Sequence, residues 1–276
     1  MQSKPWGRTK PPVGSPVDWS DPINANLKLC YLLNEGAGLN VKNATGDRLF
    51  DGTGSGANFG PGSYGTAWVQ PNSGTPVITG PSNTAFRPAT FVTHAVDVVL
   101  GVQAREQGFV SITENGNYQE IGINGGSPPN GFWVITTGGG TTQVTSPATY
   151  AVGTRLTVVG TYDGANMYLY INGALSASSA KTGNLVYNAQ NIYVGSENTR
   201  FYFAGTINWV RSWTRALKAS EAMRLYSEPF AGIVAPKRRI VPSASALPPA
   251  GTQGIFWIPN LDGMSGGSIF PGQRVP

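Results

Sequence analysis

The sequence predicts an all-β sandwich, and three observations carry that prediction. Glycine and proline are abundant, 37 and 21 among 276 residues, and they punctuate short runs of apolar and β-branched residues as turns punctuate strands. Those runs lack a helical period, and only one segment has it. The 7 Trp, 11 Tyr and 11 Phe supply enough apolar bulk to fill a core, which excludes a disordered chain, and 12% charged residues is too few for a coiled coil.

The elements follow in order. Residues 27–33 open the body as a strand, and residues 89–100 are rich in β-branched side chains. Residues 109–114 and 117–123 flank Asn115-Gly116 and read as a hairpin, because Asn-Gly accepts the positive φ of a type I′ turn. Residues 155–162, the turn Asp163-Gly164, residues 167–171, the turn Asn172-Gly173 and residues 174–178 form a three-stranded meander. Further strands are expected at 191–195 and 205–213. The helix spans 216–228, with Leu217, Met223, Leu225 and Tyr226 near one stripe and Pro229 ending it. No repeat of about 20–50 residues occurs, which argues against a propeller or solenoid.

The net charge of +5 is unevenly placed. Residues 1–16 carry Lys4, Arg8 and Lys10 without an acid, and residues 231–276 carry Lys237, Arg238, Arg239 and Arg274 against Asp262. The 12 bases and 13 acids between them leave the body at −1. Eleven of the 21 prolines also fall in these two ends, so each reads as an extended arm. The expected organisation is a basic Pro-rich arm at 1–25, one domain at 26–230 and a basic Pro/Gly-rich arm at 231–276. The start of the chain has no apolar signal-peptide core, and no stretch approaches the roughly 18 apolar residues of a membrane span. A lone Cys30 and a lone His94 exclude a disulfide framework and multi-histidine metal chemistry.

Several stretches together resemble a known family. Leu32-Leu-Asn-Glu-Gly-Ala-Gly38, Gly160 to Gly173 with its Tyr-Asp-Gly and Ile-Asn-Gly turns, Ile192-Tyr-Val-Gly-Ser196, Gly205 to Leu217 and Ser220-Glu221 look like the concanavalin A-like (laminin G-like) jelly-roll domain, over residues 27–230. The resemblance implies a jelly-roll sandwich with one short helix and extended N- and C-terminal arms. Lys218 departs from the small polar residue often found at the helix start. Leu225-Tyr-Ser-Glu-Pro-Phe230 before a basic Pro-rich tail is similar to such domains in bacteriophage structural proteins.

Candidate chemistry is sparse. Glucanases of this fold present Glu-x-Asp-x-Glu on one strand, and no two acids here are separated by two positions. Gly263-Met-Ser265-Gly-Gly267 has the letters of a nucleophile elbow without its strand-turn-helix context. His94 alternates with Val92, Val96 and Val98 and is expected to face the core, with Asp97 on the opposite side. No cofactor is required. Calcium is the best candidate, since the resemblance implies loop carboxylates as ligands, with Asp47, Asp51, Asp163 and Asn166 as candidates. Trp68, Trp133 and the run Phe201-Tyr-Phe203 are candidate glycan platforms, although Phe203 and Trp209 suit the core better.

The sequence therefore favours a non-enzymatic virion structural protein of a bacteriophage, a capsid decoration protein located on the particle. Lys4, Trp6, Arg8, Lys10, Lys237, Arg238, Arg239, Phe256 and Trp257 would clasp the major capsid protein or other virion subunits. A homo-oligomer, by analogy a trimer, is expected, with no membrane or nucleic-acid partner. The alternative is a carbohydrate-binding adhesin or tail-fibre module that recognises a host surface glycan, and the third reading is a polysaccharide-cleaving enzyme.

Overall fold

The computed structural model of the chain describes residues 6–235, apart from residue 8 and the stretches 72–74, 83–85, 103–104, 114–115, 127, 188–190 and 199. The chain divides into two compact units, Met1–Pro236 and Lys237–Pro276, and the second lies outside the described residues. The described strands are β1 (Leu27–Tyr31), β2 (Asn40–Val41), β3 (Gly52–Ser55), β4 (Asn58–Gly62), β5 (Gly65–Gln70), β6 (Val77–Gly80), β7 (Val92–Leu100), β8 (Gln107–Ser111), β9 (Gln119–Ile123), β10 (Asn130–Thr137), β11 (Gly140–Thr149), β12 (Arg155–Tyr162), β13 (Asn166–Ile171), β14 (Ala174–Ala180), β15 (Ile192–Val194) and β16 (Gly205–Trp213). One α-helix, α1 (Ala219–Ser227), follows. It is not long or apolar enough to cross a membrane.

The strands form two antiparallel sheets, as the all-β jelly-roll reading requires. The first runs β14-β13-β12-β7-β16-β5-β4, with β1 also paired to β16, and the second runs β11-β10-β9-β8-β15-β6-β3-β2. The meander appears as β12-β13-β14, and Asn172 and Gly173 take φ of +52° and +81°, the positive values an Asn-Gly turn supplies. At the start of α1, Glu221 takes over the work of the missing small polar cap. Its carboxylate accepts the Lys218 N–H at 2.8 Å and the Arg215 guanidinium at 2.6 Å.

Side chains alternate across the second sheet except at bulges between Gly108 and Val110 on β8 and between Asn130 and Phe132 on β10. Gly54, Ile78, Val194, Val110, Ile121, Trp133 and Val144 stand opposite one another across seven strands, and the larger of them fill the core between the sheets. The neighbouring row, Asn40, Thr53, Thr79, Tyr193, Ser111, Glu120, Val134 and Gln143, crosses all eight strands. Side chains alternate along a strand, so this largely polar row occupies the outer face.

Trp68 and Trp133 are buried in the core, which corrects their reading as glycan contacts. Each sits in a slot made by a glycine on the opposing sheet. A Cβ on Gly54 would come within 2.1 Å of the Trp68 ring, and one on Gly160 within 2.6 Å of Trp133. His94 faces the same core, as its alternation predicts, beside Phe86 and Trp133, with Nδ1 2.8 Å from the Ser212 hydroxyl.

The N-terminal segment corrects the boundary expected near residue 25. Residues 9–25 lie on the outer face of the first sheet together with α1 and residues 230–233, around a second apolar core of Val17, Ile23, Trp209, Trp213, Leu225, Phe230 and Ile233. Trp6 donates its indole N–H to the Ile233 carbonyl at 2.9 Å. Lys10 is buried, and its ammonium donates to the carbonyls of Leu33 (3.1 Å), Asn208 (2.7 Å) and Thr66. Burial pulls its pKa down to about 7, against the opposing pull of Glu35 and Asp97. Trp6 and Lys10 thus serve the fold of their own chain, in contrast to the partner-docking role expected of them. The fully buried Arg211 holds the segment after α1, donating to the carbonyls of Ala231 and Pro229 at 2.9 and 3.1 Å.

Two outcomes follow from these contacts. Lys10→Met leaves three inward-facing carbonyls without their donor and is expected to cost about 1–3 kcal/mol in denaturant unfolding; an unchanged midpoint would contradict the pinning role. For His94, burial pulls the pKa down to about 3, whereas the unfolded chain takes up the proton near about pH 6.5. The unfolded state therefore binds more protons between these values, and stability falls as pH drops through that window. His94→Gln is expected to lose stability less steeply there than the wild type, and equal slopes would assign the acid loss to other groups.

Candidate functional site

The other residues singled out in the sequence fall into two groups. Lys4, Arg8, Lys237, Arg238, Arg239, Phe256 and Trp257 lie outside the described residues. Three of the four candidate calcium ligands, the aspartates, are occupied with local structure. Asp47 accepts the Leu49 N–H at 3.0 Å, and Asp51 accepts the Lys42 ammonium and the Asn43 N–H at 2.8 and 2.9 Å. Asp163 closes its turn by accepting the N–H groups of Ala165 and Asn166 at 2.9 and 2.7 Å. They shape loops, and the structure gathers none of them with two further acids.

Acids do converge elsewhere, on the outer face of the second sheet. Among the described residues, Glu106, Glu120 and Glu197 are the one trio of acidic, histidine or cysteine side chains close enough to share an ion, with one carboxylate oxygen from each within 4.8 Å of the others. Glu106 immediately precedes β8, Glu120 is the outward member of β9 in the polar row, and Glu197 follows β15. The register places Glu120 opposite Ser111, so the acid rises from the middle of the sheet while the two flanking segments bring the others over it.

The electrostatics of the trio follow from burial. Glu120 is 1% exposed, and burial first, then the neighbouring Glu197 and Glu106, push its carboxyl well above the usual range. Its Oε2 accepts the Thr113 hydroxyl at 3.4 Å, while Oε1 has no partner among the described residues. Burial also raises the pKa of Glu197, against the pull of Arg200, and that of Glu106, with Glu197 adding to it. Arg200 donates to Glu197 at 3.1 Å from an exposed position.

A tight hairpin forms the rim of this site. Glu197 and Arg200 exchange backbone hydrogen bonds of 2.8 Å in both directions. Phe201 and Tyr202 follow, both half-buried, and the Phe201 carbonyl accepts the Gly108 N–H at 3.0 Å. Phe201 has φ of +50°, a left-handed conformation that is an outlier for a bulky side chain. The Arg200 guanidinium lies 5.6 Å from its ring centroid. Phe203, by contrast, is buried edge-on against Phe109, and Trp209 is buried in the second core, as the sequence suggested for both. A separate open cavity of about 330 Å³ lies beside β4 and β5, lined by Gly36, Phe59, Gly60, Pro61, Gly62 and Thr66 among others. No charged side chain lines it.

The model of the concanavalin A-like lectin/glucanases superfamily matches residues 72–223, more than half of the chain. No curated protein matches by sequence. Solved structures share the fold at low identity. The binding domain of Paraclostridial Mosquitocidal Protein 1 aligns with a TM-score of 0.63 and 16% identity, covering 76% of this chain and 53% of that one. Domain 4 of AbnA, a GH43 extracellular arabinanase from Geobacillus stearothermophilus, in complex with arabinotriose, aligns at 0.54 and 16%, covering 73% and 98%. The botulinum neurotoxin serotype G binding domain aligns at 0.54 and 16%, covering 72% and 50%. The chain thus spans about half the length of the two toxin domains.

Proposed function

Because this chain belongs to the concanavalin A-like lectin/glucanases superfamily, we propose that it is a carbohydrate-binding module whose contact surface is the hairpin rim at residues 197, 198 and 200–202. The observation that carries the reading is Phe201. A half-exposed aromatic ring is held in a strained conformation beside Arg200, Tyr202 and a floor of carboxylates. Aromatic faces stack on the apolar faces of sugar rings, and the adjacent charged groups supply hydrogen bonds to hydroxyls. The fold supports the same reading, since one neighbour sharing it was solved with arabinotriose. The decoration role expected from two basic arms is the weaker reading, because Trp6 and Lys10 are held by the body.

Binding without cleavage fits the carboxylates. One oxygen of each lies within 4.8 Å of the others, but Glu120 lies beneath the surface, where a glycosidic bond does not reach. A glycan array probed with the full chain is expected to show binding that falls about tenfold or more in a Phe201→Ala/Tyr202→Ala double variant with an unchanged unfolding midpoint. Released reducing ends are expected to stay at background. Binding that survives the double change would move the site elsewhere, and an array with no bound glycan would overturn the reading.

A further inference from the structure

We propose that Glu106, Glu120 and Glu197 form a binding site for one calcium ion, anchored by the buried Glu120 on the outer face of the second sheet. The closeness of three acids is not what carries this inference. Glu120 is almost completely removed from water, and its Oε1 has no hydrogen-bond partner among the described residues. A buried carboxylate left so is unfavourable unless a cation or a proton meets it. The Ser196 hydroxyl, fully buried beside Glu197, is likewise without a partner.

The packing around that oxygen depends on a glycine. A Cβ at Gly108 would lie 2.7 Å from Oε1 of Glu120 and 2.8 Å from both the Glu197 nitrogen and the Ser196 carbonyl carbon. Glycine is therefore the residue that lets β8 pass this close to the trio. Its backbone cannot give way easily, since its N–H is bonded to the rim at Phe201.

The donor set selects the ion. All three ligands are hard carboxylate oxygens, which suit calcium or magnesium over thiolate- and imidazole-seeking metals. Oxygens within 4.8 Å of one another can share one ion, and the irregular, carboxylate-only set suits calcium, which takes flexible oxygen shells, better than magnesium, which demands a near-ideal octahedron and keeps several waters. With Arg200 paired to Glu197, three ionised carboxylates retain two negative charges, which a divalent cation neutralises.

This inference does not rest on the glycan reading, and its test contains no glycan. The full chain, stripped with EDTA, is titrated calorimetrically with calcium chloride and then unfolded thermally with and without the ion. One calcium per chain is expected, with a rise in Tm of about 5 °C near saturation. Glu120→Gln is expected to abolish both. Glu106→Gln, at a partly exposed position where folding is not at stake, is expected to weaken binding about tenfold or more. A wild-type chain that binds no calcium would show that a shared proton holds the trio together and would overturn the proposal. So would calcium binding that neither substitution changes, or a site that takes magnesium in preference to calcium.

Discussion

In-register pairing across eight strands is the constraint on which the second sheet depends. A one-residue slip of any strand would turn its side chains to the other face. The apolar row from Ile78 to Val144 would then meet water, and the polar row from Asn40 to Gln143 would enter the core. Because the core row includes Trp133, which fits only against Gly160 on the opposing sheet, the position of β10 is fixed along the strand as well as in its facing. The same register that buries Trp133 sets Ser111 opposite Glu120 and brings Glu120 to mid-sheet. Core packing and the candidate site are two consequences of one pairing.

The first sheet solves a different problem. Its outer face carries Trp209, Trp213 and Tyr170, too much apolar surface to leave in water. Residues 9–25, α1 and residues 230–233 form a third layer over it. The N-terminal segment is therefore structural, and its one described cation, Lys10, is used internally. The two sheets end up with distinct roles, one covered and holding both ends of the described body, the other open at its edges and polar.

The sequence reveals this division unevenly. Strands β12 and β16 have the bounds their alternation predicts, and the Asn-Gly turn at 172–173 takes the expected backbone, because β-branched runs between positive-φ turns are local signals. Strands β2 to β6 escape notice because they are short, and all but β2 contain glycine, as in Gly52-Thr-Gly-Ser55, so they depend on long-range pairing. Trp68 looked like a sugar platform since no local pattern shows that Gly54 makes room for it. The acid trio comes from positions 106, 120 and 197, so a search for closely spaced carboxylates in one strand could not find it. One local sign was present: Gln119-Glu-Ile-Gly-Ile123 places a charged residue next to Ile121 in a strand whose every residue is buried.

Glu197 ties floor to rim. Its carboxylate belongs to the trio, its side chain holds Arg200, and its backbone closes the hairpin that leads into Phe201. Gly108 makes the same connection, since it packs closely against Oε1 of Glu120 while its N–H is bonded to the Phe201 carbonyl. Charge at the floor and conformation at the rim therefore share atoms. A cation drawn between Glu120 and Glu197 would oppose their mutual repulsion and tighten the segment that displays the aromatic rings. Without it, like charges in a poorly hydrated space work against that segment. The strained backbone of Phe201 is then explained by its surroundings: it persists because the hairpin bonds and the Gly108 contact together over-determine it.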